Sequence, residues 1–125
     1  MTKPVGSIGW LDLTVEDAPK VRDFYRDVVG WTTSEIDMGG YADYVMSTPE
    51  GEAAAGVCHA RGNNAGLPSS WLVYVIVADI ERSVERAREL GGKTLTPIRS
   101  AGGGKFAVIA DPAGAVLALF QDAAG

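Results

Sequence analysis

The chain carries one pattern twice. Leu11-Asp12-Leu13-Thr14-Val15-Glu16-Asp17 returns as Val73-Tyr74-Val75-Ile76-Val77-Ala78-Asp79, 62 positions on, and Gly30 returns as Gly92 at the same shift. A turn and a short apolar run close each half: Pro49-Glu50-Gly51 before Ala53-Ala54-Ala55, and Pro112-Ala113-Gly114 before Val116-Leu117-Ala118. This second pair is displaced by 63, so one residue of slack accumulates along the repeat. A unit this long, present only twice, is a duplicated supersecondary unit; a solenoid needs three or more copies. Equivalent positions in the two halves are expected to face a common centre, so a site built there can be read by symmetry.

Local patterns give each half the order βαβββ. Ile8 to Val15 alternates as a strand, with Leu11, Leu13 and Val15 against Trp10, Asp12 and Thr14. Asp17 is placed to cap a helix, and Pro19 falls in its first turn, where a missing N–H costs nothing. Val21, Phe24, Tyr25, Val28 and Val29 then form one apolar stripe, stopped by Gly30. Strands are expected at 31–36, 41–47 and 52–59, followed by a polar, Gly/Asn/Pro-rich linker at 61–70. The second half repeats this with a strand at 71–77 and a helix capped by Asp79, carrying Ile80, Val84, Ala87 and Leu90. Its later strands are expected at 93–97, 105–110 and 115–121, with Ala101 to Gly104 as a flexible loop.

The length suits one domain, 1–125, built of modules at about 6–60 and 70–122. A net charge of −5 gives no footprint for phosphate backbones, so nucleic acid is not an expected partner. No apolar stretch approaches the roughly 20 residues needed to span a bilayer, and no basic-then-apolar leader opens the chain, so a cytoplasmic location away from membranes is expected. Cys58 is the sole cysteine, which rules out an intrachain disulfide and cysteine-rich metal sites. There is no nucleophile elbow or dinucleotide fingerprint: Gly102-Gly103-Gly104 precedes a strand, not a helix.

The residues Val15-Glu16-Asp17, Phe24-Tyr25, Val29-Gly30-Trp31, Val77-Ala78-Asp79, Leu90-Gly91-Gly92 and Asp111-Pro112-Ala113-Gly114 span nearly the whole chain. In this order and spacing they resemble the vicinal oxygen chelate superfamily, which contains glyoxalase I, bleomycin-resistance proteins and extradiol dioxygenases, and most of all its small glyoxalase-like single-domain members. The resemblance implies an α+β fold: two βαβββ modules forming a curled mixed sheet around a cavity. It does not fix function, because the superfamily hosts lyases, isomerases, oxygenases and binders.

Carried over by the resemblance, the family's metal-ligand positions fall on Trp10, Ala55, Leu72 and Ala118; a one-residue slip would put Gly56 for Ala55 or Val73 for Leu72. None of these side chains can coordinate a divalent ion. No metal and no cofactor are therefore expected.

By strand alternation Trp10, Asp12 and Thr14 share the cavity face with Leu72, Tyr74 and Ile76. Trp10 and Tyr74 would form an aromatic wall for a planar or apolar ligand, or Trp10 would simply fill the space. Asp12 is a candidate general base, or else a carboxylate paired with a neighbour. His59, the only histidine, is expected on the cavity side with the parity of Ala55 and Val57, as a proton shuttle or a strand-end hydrogen-bonding group. Cys58, of opposite parity, is expected under the helix. Arg61 is a candidate for holding a ligand's anionic group, with Arg99 a weaker one, and Tyr41 and Asp43 are rim candidates.

Two functions follow. One is a metal-independent binder of a small, largely apolar or aromatic organic molecule, suited to drug or metabolite sequestration. The other is an enzyme of the same superfamily (lyase, isomerase or oxygenase) using Asp12, His59 or Tyr74, or an atypical metal site. A homodimer is expected, with the small residues Ala53 to Gly56 permitting close approach of two chains.

Overall fold

A computed structural model describes residues 3–123. The described residues form nine strands and two α-helices, and the fold is α+β in class. It divides into two compact units, one continuous (Leu11–Trp71) and one assembled from both ends of the chain (Met1–Trp10 with Leu72–Gly125).

The continuous unit holds most of β1 (Ile8–Val15), then α1 (Ala18–Val29), β2 (Thr32–Asp37), β3 (Ala42–Ser47) and β4 (Ala53–His59). Its strand order is β2-β3-β4-β1, with β1 and β4 parallel and the other pairs antiparallel. The α1 start follows the sequence: the Asp17 carboxylate accepts from the Lys20 N–H, and a proline occupies the first turn. The stop follows it too, because Gly30 takes the left-handed conformation (φ 88°) that closes a helix at little steric cost. The apolar stripe is narrower than expected. Ala18, Tyr44, Met46 and Val57 form the core, with Val21 and Tyr25 packed on it, whereas Phe24 and Val28 are 58% and 65% exposed.

The second unit holds β5 (Trp71–Ile76), α2 (Ile80–Glu89), β6 (Lys93–Thr94), β7 (Arg99–Ala101), β8 (Gly104–Ala110) and β9 (Val116–Gln121). Its order is β5-β9-β8-β6, with β7 also on β8; β5 and β9 are parallel. The N-terminal segment joins it through Gly6 N–H to Ile76 O at 2.8 Å and Ile76 N–H to Ser7 O at 2.9 Å. Ile80, Val84, Ala107 and Leu119 form the core between α2 and the sheet.

One local expectation changes. Ala101 to Gly104 is not a flexible loop: Ala101 pairs with Gly104, and Gly102 and Gly103 (φ 55° and 90°) form a tight two-residue hairpin turn between β7 and β8. In the small-residue stretch of β4, Ala55 and Gly56 are buried while Ala53 is exposed, and the ladder to β1 begins at Gly56.

Candidate functional site

The ladders fix which residues share a face. In the continuous unit Asp12 pairs with Gly56, Leu13 with Val57, Thr14 with Cys58 and Val15 with His59. Val57 packs in the α1 core, so Leu13, Val15, Val57 and His59 belong to the helix side, and Asp12, Thr14, Gly56 and Cys58 to the opposite face. This corrects the expected parity of β4. His59 does not lie on the face of Asp12, and Cys58 is not under the helix. The cause is the one residue of slack in the repeat, since a one-residue shift turns every side chain of a strand over.

Cys58 is instead held against carboxylates. Its thiol donates to Asp12 Oδ2 at 3.3 Å. Burial, and then the nearby charges of Asp12 and Asp43, push the thiol far above its ordinary value, so it stays protonated and poorly nucleophilic.

At the end of β4 the side chains converge. Beyond the last β3–β4 pair, Tyr44 with Val57, the Asp43 carboxylate continues the hydrogen bonding: its Oδ1 accepts the His59 backbone N–H at 2.8 Å and faces the ring Nδ1 at 3.4 Å. Asp43 is buried and His59 keeps 15% of its side chain exposed. Tyr41 meets the imidazole edge-on, with ring centres 5.3 Å apart, and the Arg61 guanidinium lies over the Tyr41 ring at 4.0 Å. Tyr44 approaches the same imidazole at 6.1 Å, and Arg22 of α1 lies over Tyr44 at 4.6 Å. Three sequence candidates, Tyr41, His59 and Arg61, thus form one cluster. Asp43, a minor rim candidate in the sequence, is the residue that ties it together. Strand periodicity could not reveal this, because the contact is made by a side chain at a strand end.

The other candidates sit differently. In the second unit Tyr74 pairs with Ala118, and Val108 with Ala118, so Leu72, Tyr74, Ile76, Val108 and Ala118 line the face opposite α2. Phe106 adds a ring 6.0 Å from Tyr74. This face is apolar, whereas the matching face of the continuous unit carries Asp12, Thr14 and Cys58. Trp10 is half-buried. Arg99 begins β7. An open groove of about 460 Å³ beside α2, lined by Glu81, Val84, Glu85, Arg88, Thr96, Pro97 and Ile98, includes none of the sequence candidates.

The ladders change one of the positions carried over from the family resemblance. Ala118 pairs with Tyr74, and the equivalent pair one repeat earlier is Asp12 with Gly56, so Gly56 rather than Ala55 is the counterpart of Ala118. Trp10, Leu72, Gly56 and Ala118 offer no imidazole, carboxylate or thiolate, and do not fit a divalent metal. Among the described residues no group of three or more His, Cys, Asp or Glu side chains is placed to hold a metal ion.

Two units, each with one helix packed on a face of its mixed strands, define the class: a duplicated-module α+β protein, whose second module departs from the expected βαβββ order by one added short strand, β7. The chain belongs to the Glyoxalase/Bleomycin resistance protein/Dioxygenase superfamily, whose family model matches residues 7–119. It is 32% identical over 119 residues to CFP32 of Mycobacterium tuberculosis, a protein with the provisional label glyoxylase, covering 93% of this chain and 46% of that one. It is 31% identical over 116 residues to the anthracycline biosynthesis protein DnrV of Streptomyces peucetius, covering 93% and 42%. The chain therefore spans about half the length of these curated relatives. Among solved structures, a superfamily member from Vibrio splendidus aligns with a TM-score of 0.59 at 17% identity, covering 93% of this chain and 100% of that one. Methylmalonyl-CoA epimerase from Mycobacterium tuberculosis aligns at 0.55 and 15%, covering 97% and 92%. These two likenesses show the fold. No helix among the described residues is long and apolar enough to cross a membrane.

Proposed function

We propose that this protein is a metal-independent member of the superfamily that binds a small, largely apolar or aromatic organic molecule. One observation carries the reading: the positions equivalent to the family's ligands hold Trp10, Leu72, Gly56 and Ala118, so binding must rest on shape and apolar contact. Leu72, Tyr74, Ile76 and Phe106 have the aromatic and apolar character that suits a planar partner; they are buried in this structure, so such a molecule would have to displace what covers them. The relative named for anthracycline biosynthesis is consistent with it, anthracyclines being planar aromatic compounds. Sequestration of such a molecule would need no group that reacts.

The test is a titration of the purified protein, followed by tryptophan fluorescence, with a panel of planar aromatic compounds, before and after chelation, alongside elemental analysis. Saturable binding that chelator leaves unchanged, in protein without stoichiometric transition metal, is the expected result. About one metal per chain, lost together with binding on chelation, would overturn the reading.

A second reading, an enzyme moving a proton with cavity acids and bases, is favoured by the Asp43–His59 contact, which is the arrangement that orients an imidazole for proton transfer. Substrate turnover that fails in His59→Ala while planar-compound binding survives would select it.

A further inference from the structure

The cluster at the end of β4 has a chemistry of its own, distinct from the apolar face. We propose that Tyr41, His59 and Arg61, with Asp43 as a positioning residue, form a site for a small organic acid that carries a hydroxyl beside its carboxylate. The site lies wholly within the continuous unit, and it stands whether or not the apolar face of the other unit takes a ligand.

The charge partner is Arg61. It is exposed, and among the described residues no carboxylate pairs with it; its contact is the Tyr41 ring, 4.0 Å from the guanidinium carbon. Stacking uses the flat face of a guanidinium and leaves its N–H edge free, and that edge matches a carboxylate in two-pronged geometry. The stack also pre-orders a long side chain, which lowers the cost of fixing it on binding. In a chain of net charge −5, a pre-ordered cation with no carboxylate partner among the described residues is available to an anionic ligand.

The hydrogen-bond acceptor is His59. The acid oxygen of Asp43 faces Nδ1 and can only accept in its ionised form, so the neutral ring must carry its proton on Nδ1. That leaves Nε2 as a bare acceptor, with the side chain partly open to solvent. The same Asp43 oxygen accepts the His59 backbone N–H at 2.8 Å, which locks carboxylate and imidazole to one point of the backbone. Tyr41 touches both partners, the imidazole in a T-shaped contact with ring centres 5.3 Å apart and the Arg61 guanidinium over its ring at 4.0 Å, so cation and acceptor share one aromatic neighbour. A ligand that satisfies both has an anionic group for Arg61 and an O–H for Nε2. A 2-hydroxy acid supplies this pair on adjacent carbons. Gly62 keeps that ring in place: at φ 59°, a Cβ there would come 3.2 Å from the Tyr41 hydroxyl.

His59 is the only histidine, so its nitrogen resonances are unambiguous. The experiment records long-range ¹H–¹⁵N spectra of the intact protein at mildly alkaline pH, then adds glycolate, lactate or mandelate, with acetate as the hydroxyl-less control. The proposal expects the Nδ1–H tautomer in the native protein and its loss in Asp43→Ala, which removes the acceptor. It expects a shift of the Nε2 resonance with millimolar 2-hydroxy acid, at least tenfold weaker with acetate and in Arg61→Gln. Arg61→Gln lies in an exposed loop and should keep the native fold, seen in an unchanged amide spectrum, so loss of binding there reports the site. An Nε2–H tautomer in the native protein overturns the acceptor role. Equal responses to glycolate and acetate, equal responses in Arg61→Gln and the native chain, or no response to any of the acids overturn the site.

Discussion

Asp12 and Cys58 lie two residues out of register on parallel neighbouring strands, and the thiol donates to the carboxylate across that ladder at 3.3 Å. The contact places a protonated sulfur against an acid on the sheet face turned away from α1. Neither group is idle: the carboxylate gains a donor, and the thiol is held in the form that cannot react.

This pairing predicts how stability changes in alkali. The thiol is raised above its ordinary 9.0 in the folded chain, first by burial and then by the neighbouring carboxylates. Above about pH 9 the unfolded chain loses this proton while the folded chain keeps it, so stability falls as pH rises, by about 1.4 kcal/mol per pH unit for one proton. Below pH 9 both states hold the proton and the effect vanishes. Cys58→Ser keeps a donor for Asp12 but does not ionise, so its denaturation midpoint should be flatter between pH 9 and 10.5 than that of the native chain. Parallel curves would refute the assignment.

The hairpin between β7 and β8 sets a second prediction. A Cβ on Gly104 would sit 2.5 Å from the Gln121 carbonyl oxygen and 2.8 Å from Phe120 Cζ. Backbone cannot yield as a side chain can, so Gly104→Ala should destabilise by about 1–3 kcal/mol. Urea denaturation reads this directly. Gly103→Ala is the informative companion: it meets little crowding but forces a left-handed φ of 90° on alanine, so its cost comes from the backbone alone.

Trp71 offers a spectroscopic test. Its indole N–H donates to the Tyr25 hydroxyl at 3.1 Å, and both rings pack near Trp31. Tyr25→Phe keeps the ring but removes the acceptor, leaving the indole N–H to find another partner. A loss of about 1 kcal/mol and a changed tryptophan emission maximum are expected. An unaltered emission spectrum would mean that the indole N–H is already satisfied elsewhere.

A homodimer remains our expectation, and Ala53 to Gly56, half of it buried, offers little surface for one. Phe24 and Val28, one turn apart on α1 and more than half exposed, are the better place to probe. Light scattering at micromolar concentration should give twice 13.1 kDa, and Phe24→Glu should shift it toward the monomer. A monomer mass for the unaltered chain would end the expectation.

What was legible in the sequence was periodicity. Alternation placed β1 and the shared face of Leu72, Tyr74 and Ile76, and the caps Asp17 and Asp79 begin both helices. Two kinds of information were not there. The phase of β4 hangs on whether its residues are counted from the Pro49 turn or from the β1 ladder; the two differ by one, and one residue inverts the faces of Cys58 and His59. The α1 stripe was over-read for another reason: Phe24 and Val28 match the helical period, but a period does not say how wide the partner surface is. The Tyr41–His59–Arg61 cluster was legible only as separate candidates. Its organiser, Asp43, acts through a side-chain bond that no spacing encodes.

Residues at the start of the chain complete the unit made by its end, through Gly6, Ser7 and Ile76. During synthesis Gly6 and Ser7 leave the ribosome before Ile76, their partner, has been made. They stay unpaired while Leu11–Trp71, a compact unit, is already free to assemble. A substitution at Gly6 or Ser7 would therefore weigh on the later-made unit rather than on the sequence beside it.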